Sequence, residues 1–166
     1  MRAVASRARG FTLIELLVVV GVMAVLMAVA VPSFSASRLN SQLRASANGL
    51  LASANLARGE AIKRGGNVRM CVSANGTSCG TGNWRQGWII LSGTQVLHRQ
   101  SPIAADFRIT AAGGTTAFDF LPTGFDATPG TFVVCRATPV GSQERVVTID
   151  AAGRAWVRRS AAGSCS

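Results

Sequence analysis

The period of the apolar positions changes three times along the chain. Residues 1–10 are mixed and polar, and an almost unbroken apolar run, FTLIELLVVVGVMAVLMAVAV, then extends from Phe11 to Val31. As a helix rising 1.5 Å per residue this run covers about 30 Å, enough to cross the hydrocarbon core of a bilayer. Pro32 follows it and is expected to kink or interrupt the helix, because it has no N–H and its ring clashes with the preceding turn. From Leu39 the pattern becomes amphipathic. Leu43, Ala47, Leu50, Ala54, Ala57 and Ala61 recur at spacings of three and four, while Arg38, Arg44, Arg58 and Glu60 fall off that stripe. A helix over about Phe11–Arg64 is predicted, half in a membrane and half packed on a domain, with Gly65-Gly66 ending it.

Beyond Asn67 the period shortens to runs rich in Val, Ile and Phe, separated by Gly, Pro, Asn and Ser clusters. These predict strands at 67–72, 87–91, 95–100, 107–110, 117–121, 131–136, 144–149 and 154–159. The short connections favour antiparallel pairing, so the class is α+β. The segment Cys71–Trp88 has few apolar residues and reads as a loop clipped by a disulfide.

At 166 residues one modest domain and an extended segment are expected. Lys plus Arg outnumber Asp plus Glu by 17 to 7, and all the cations except Lys63 are Arg. A charge of +10 suits a polyanionic partner such as nucleic acid or acidic lipid. Arg can grip phosphate through two parallel hydrogen bonds, although a GC-rich genome writing Arg for Lys explains the composition equally well. Cys71, Cys79, Cys135 and Cys165 form no CxxC or CxxH spacing, which favours disulfides over zinc and hence an oxidising compartment such as a bacterial periplasm. Of the three possible pairings, Cys71 with Cys79 and Cys135 with Cys165 is expected.

Arg2, Arg7 and Arg9 keep the start of the apolar run cytoplasmic, which places the rest of the chain outside. Gly10 stands at the near end of the apolar core, where an ordinary secretory signal has no cleavage residue. Glu15 is the anomaly. A carboxylate within hydrocarbon costs about 2.5–3.5 kcal/mol even on lenient scales, so it is either a functional group or a side chain snorkelling to the headgroups. Cleavage after Gly10 would create an α-amino group at Phe11, able to neutralise such a carboxylate from an adjacent subunit and set the register of a filament.

Arg9-Gly10-Phe11-Thr12-Leu13-Ile14-Glu15-Leu16 resembles the signal of type IV pilins and type II secretion pseudopilins. The resemblance implies a prepilin leader at 1–10, cleavage after Gly10 and methylation of Phe11 by a prepilin peptidase, and an assembly carboxylate at Glu15. It also implies a pilin fold, in which the long N-terminal helix packs on antiparallel β-sheets. Residues 11–33 would be the transmembrane part of that helix, and 34–166 the periplasmic domain, with helix at 34–64 and a β-rich part at 67–166. Within the family the later residues resemble the GspH/FimT/FimU minor pilins and pseudopilins. The matching features are Val68-Arg69-Met70-Cys71-Val72 running to Cys79, Trp84, Gly87-Trp88, the Cys135 strand and the closing Gly153-Arg154 hairpin.

An enzyme is not expected. His98 stands alone in an alternating strand, the acids Asp106, Asp119, Asp126, Glu144 and Asp150 are scattered singly, and no glycine run has a phosphate-cradle pattern. No cofactor or metal is expected. In the last hairpin, Arg154, Trp156 and Arg158 would share one strand face at steps of about 6.6 Å, close to phosphate spacing, with the indole free to stack on a base. The alternative puts Trp156 in the core, with Val157 competing for the inward position, and leaves the arginines as a solvated edge. Some FimT-like pilins carry a GRxR motif here and bind DNA during natural transformation. Gly153-Arg154 matches its first half, position 156 is Trp instead of Arg, and Arg158 and Arg159 stand nearby as possible substitutes.

The expected role is a minor pilin or pseudopilin that promotes assembly of a type IV pilus or a type II secretion filament. Its partners would be other pilins, met through the N-terminal helix, the prepilin peptidase and the inner membrane, with DNA uptake at the pilus tip as the alternative. Removal of the leader takes away three arginines and leaves 14 cations against 7 acids, a net +7 that would repel like neighbours and favours a minor over a major subunit.

Overall fold

The computed structural model describes residues 11–137 and 143–160, without the side chains at 29, 31–33 and 36. Residues 1–10, expected to be a leader ending at Gly10, and Cys165 lie outside the described residues. Two compact units are formed, Met1–Leu39 and Asn40–Ser166. Helix α1 runs Leu13–Arg64, and Pro32 does not interrupt it. A proline deletes one donor, while the i→i−4 bonds on either side can carry the helix through.

In the first unit every described side chain from Phe11 to Ala28 is exposed. Among the described residues no helix is long and apolar enough to cross a membrane. The span expected from Phe11 to Val31 ends in positions whose side chains are not described.

In the second unit the predicted stripe is the buried face of α1: Leu43, Ala47, Leu50, Ala54, Ala57 and Ala61 are all buried. Four of these six are alanines, whose lack of bulk lets a sheet approach the helix backbone closely. Gly65-Gly66 close the helix with a Schellman pair, Gly66 N–H to Ala61 O at 3.3 Å and Gly65 N–H to Ile62 O at 3.4 Å.

All eight predicted strands form: β1 Val68–Val72, β2 Trp88–Ser92, β3 Gln95–Gln100, β4 Phe107–Ala111, β5 Ala117–Phe120, β6 Gly130–Arg136, β7 Glu144–Ile149 and β8 Ala155–Ser160. They make two four-stranded sheets, in the orders β3-β2-β1-β5 and β4-β6-β7-β8, and every pairing is antiparallel. Trp84, in a 3-10 turn at Trp84–Gln86, is buried where the sequence suggested only loop. It meets Phe132 of β6 edge to face at 4.8 Å and Phe118 of β5 at 5.7 Å, and Phe118 and Phe132 lie 4.9 Å apart, so aromatic rings join the two sheets. Its indole N–H donates to the Thr115 carbonyl at 2.8 Å, which removes the cost of burying it. Trp88 does the same towards the helix, donating to the buried Ser53 hydroxyl at 2.9 Å.

The Cys71–Cys79 disulfide forms as expected, with Cα atoms 5.5 Å apart. Cys71 and its register partner Ile89 are both buried on the face of the first sheet that this loop covers. Cys135 is also disulfide-bonded.

Gly130 is required by close approach, since a Cβ there would stand 2.4 Å from Phe118 Cε1. Gly130→Ala is therefore expected to destabilise the fold by about 1–3 kcal/mol through overpacking. Gly59, exposed on α1 with nothing near its position, should respond oppositely: Gly59→Ala should gain about 0.5–1 kcal/mol. Thermal or denaturant unfolding of the two variants beside the parent checks both signs.

Candidate functional site

The segment expected to act in assembly lies at the start of α1. Thr12 is its N-cap: Thr12 Oγ1 accepts the Glu15 N–H at 3.3 Å, and the Thr12 carbonyl accepts the Leu16 N–H at 3.2 Å. Thr12-Leu13-Ile14-Glu15 thus supplies the threonine half of a capping box. The T-x-x-E spacing was legible, but sequence reasoning weighed Glu15 only as a charge. Glu15 also stands in the first turn of the helix, where the macrodipole favours an anion. Phe11, expected to carry the new N-terminus, precedes the helix and is exposed.

The second candidate surface is the β7–β8 hairpin. Its turn is fixed by Asp150, whose carboxylate accepts the Arg154 backbone N–H at 2.8 Å and the Arg154 guanidinium Nε at 2.8 Å. Asp150 N–H donates to the Arg154 carbonyl at 3.0 Å, and Gly153 N–H donates to the Asp150 carbonyl at 2.9 Å. Gly153 has φ +69° and is buried, and a Cβ there would lie 3.2–3.3 Å from Arg58 Cδ, Ala127 Cβ and Phe120 Cδ1. Both conformation and space therefore demand glycine. Arg58, predicted only as an off-stripe cation, donates through Nε to the Ala152 carbonyl at 3.0 Å and ties the turn to α1. No local signal marks a contact across 94 positions.

The structure alters the expected row of Arg154, Trp156 and Arg158. Strand β8 begins at Ala155, so Arg154 belongs to the turn and its guanidinium is drawn back onto Asp150. Trp156 is exposed to 44% while Val157 is half-buried, which decides the inward position for Val157. Trp156 and Arg158 share the outward face, and Arg159 lies on the other, opposite Arg145 of β7. His98 sits half-buried on β3, and among the described residues no group of His, Cys, Asp or Glu could hold a metal ion.

Burial pushes the Asp150 carboxyl up, but hydrogen bonds from the Arg154 backbone and guanidinium outweigh it and hold the group below its ordinary 3.8. A lowered carboxyl stabilises the fold at pH values above its unfolded pKa, and that stability is lost as pH falls through the folded value. The turn should therefore loosen only in acid below about pH 3.8, read as faster exchange of the Gly153 and Arg154 amides. Asp150→Asn should abolish that acid response while leaving the backbone hydrogen bonds of the turn in place.

The sequence profile described as "Type II transport protein GspH" matches residues 46–153, and the "Prokaryotic N-terminal methylation motif" matches residues 5–31, which indicates a membrane-anchored pilin. The fold is similar to that of the type IV minor pilin FimU of Pseudomonas aeruginosa, with TM-score 0.59 and 21% identity, over 72% of this chain and 90% of that one. It is also similar to the minor pseudopilin EpsH from the Type 2 Secretion System of Vibrio cholerae, with TM-score 0.54 and 16% identity, over 70% of this chain and 96% of that one. No curated protein matches in sequence. The likenesses to FimU and EpsH show that the chain has the fold of those two proteins, and since the GspH profile spans well over half of its length, the chain belongs to the GspH family.

Proposed function

We propose that the chain is a minor subunit that helps to build a type IV pilus or type II secretion filament. A prepilin peptidase removes residues 1–10 after Gly10 and methylates Phe11. Residues 11–33 hold the subunit in the bacterial inner membrane as a single pass, and residues 34–166 fold in the periplasm. Glu15 then pairs with the N-terminal amine of a neighbouring subunit during assembly. The observation that supports this reading is the capped start of α1, with Glu15 in the first turn of a helix whose described apolar side chains are all exposed up to Ala28. An exposed apolar surface of that extent needs lipid or other helices around it.

Glu15→Leu tests the assembly role, because it leaves the Gly10-Phe11 junction intact. The variant should lose its first ten residues normally, by intact mass, yet be at least about tenfold depleted from sheared filaments, as expected for an uncompensated amine in an apolar packing. Normal incorporation of the variant, or retention of the leader by the parent chain in cells that contain the peptidase, would refute the proposal.

A second reading, DNA binding by the β7–β8 hairpin, is favoured by one observation: Trp156 and Arg158 are exposed together on the outward face of an edge strand. Here Arg154 contributes less than its motif position implies, because Asp150 already neutralises it. If DNA is bound, the full-length chain in neutral detergent should bind duplex DNA more weakly as salt rises. Trp156→Ala and Arg158→Ala should each weaken binding about tenfold, whereas Arg154→Ala should weaken it less. Undetectable or salt-insensitive binding would dismiss this reading.

A further inference from the structure

Arg145 is 4% exposed, the least accessible cation of the domain, and no carboxylate among the described residues meets it. Its guanidinium donates from Nη1 to the Glu144 carbonyl at 3.0 Å and from Nη2 to Asn40 Oδ1 of α1 at 2.5 Å, both neutral acceptors. Glu144 is the adjacent residue, but the pleat turns its side chain to the opposite face of the sheet. Directly across from Arg145 in the register stands Arg159 of β8, a like-charge pair of the kind that destabilises a sheet. Arg44 approaches from α1, one turn beyond Asn40. Burial first, and then the positive charges of Arg159 and Arg44, push the Arg145 guanidinium below its usual range.

Three cations therefore converge from α1, β7 and β8, and neither Arg44 nor Arg159 is engaged by an acid among the described residues. Three other arginines of the domain are held by acids, Arg69 by Asp119, Arg64 by Glu60 and Arg154 by Asp150. An uncompensated group of this kind is costly alone and becomes favourable once an anion fills it. A carboxylate offers two oxygens in one plane and is matched by a single guanidinium fork. A phosphate offers oxygens in several directions, which suits donors arriving from three separate elements.

We propose that Arg44, Arg145 and Arg159, with Asn40 orienting Arg145, form a binding site for a phosphate group, and that the headgroup of an anionic phospholipid supplies it. Asn40 and Arg44 follow the apolar run by nine and thirteen residues, on the side of it that the membrane-anchor reading assigns to the periplasmic leaflet. The lipid source rests on the membrane-anchor reading, whereas the phosphate chemistry does not.

The test uses the full-length chain in neutral detergent, with thermal unfolding followed as phosphatidylglycerol, phosphatidylcholine or inorganic phosphate is added. Phosphatidylglycerol should raise the midpoint at concentrations where phosphatidylcholine does not, and native mass spectrometry should show one retained lipid. The double variant Arg44→Gln, Arg159→Gln should bind it at least about tenfold more weakly. Because both substitutions remove like charge beside Arg145, the ligand-free variant should be at least as stable as the parent, so loss of binding cannot be ascribed to misfolding. Equal stabilisation by inorganic phosphate, lost in the same variant, would keep the site and overturn the lipid source. No response to either ligand, an unchanged response in the double variant, or coverage of the cluster by an acidic side chain of a neighbouring subunit would overturn the site itself.

Discussion

The second unit depends on how closely its sheets can approach α1. Ala47, Ala54, Ala57 and Ala61 leave the helix surface nearly flat, and the large side chains that fill the space come from the sheets and from one loop. Trp88 reaches Ser53 from the first sheet, Arg58 reaches the β7–β8 turn of the second, and Trp84 wedges its ring against Phe118 and Phe132 between them. A bulky residue at any of these alanines would lift a sheet from the helix and stretch the hydrogen bonds that cross the gap. The same closeness explains why glycine is needed at 130 and 153, where strand and turn are pressed against aromatic rings and the Arg58 stem.

Much of this was legible because it is written in short periods. The helical stripe named the six buried positions of α1, and the two-residue alternation found every strand within a residue or two of its ends. What escaped were residues whose partners are far away in sequence. Ser53 looks like a small polar interruption until the Trp88 indole arrives from 35 positions away. Arg58 looks solvated, and Trp84 looks like part of a polar loop. The choice between Trp156 and Val157 could not be made from alternation alone. Either parity gives an amphipathic strand, and only the register of β8 on β7 selects one.

The positive charge of the chain is unevenly compensated. On the outer face of the first sheet, on the last turns of α1 and in the hairpin turn, basic side chains are matched with acids three or four positions away or directly across a strand pair. Such exposed pairs add little stability each and mainly fix local geometry. At the start of the second unit a buried guanidinium, Arg145, is held by an asparagine and a carbonyl instead of an acid. A basic composition therefore means different things at different places, and only the pairing pattern separates a solvated surface from a poised one.

The N-terminal segment combines two requirements that conflict in hydrocarbon. A helix that begins inside an apolar environment exposes its first N–H groups where no water can satisfy them. Thr12 answers part of this by taking the Glu15 N–H on its own hydroxyl, within the chain and before any partner arrives. Glu15, in the same turn, adds a negative charge where the helix dipole favours one, which reduces the cost of keeping the carboxylate in place. Under the proposed assembly role, the residue that is least tolerable in a bilayer is thus partly stabilised by the helix end it occupies. The amine of a neighbouring subunit need then supply only the remainder, so the pairing can stay reversible until a subunit is seated in register.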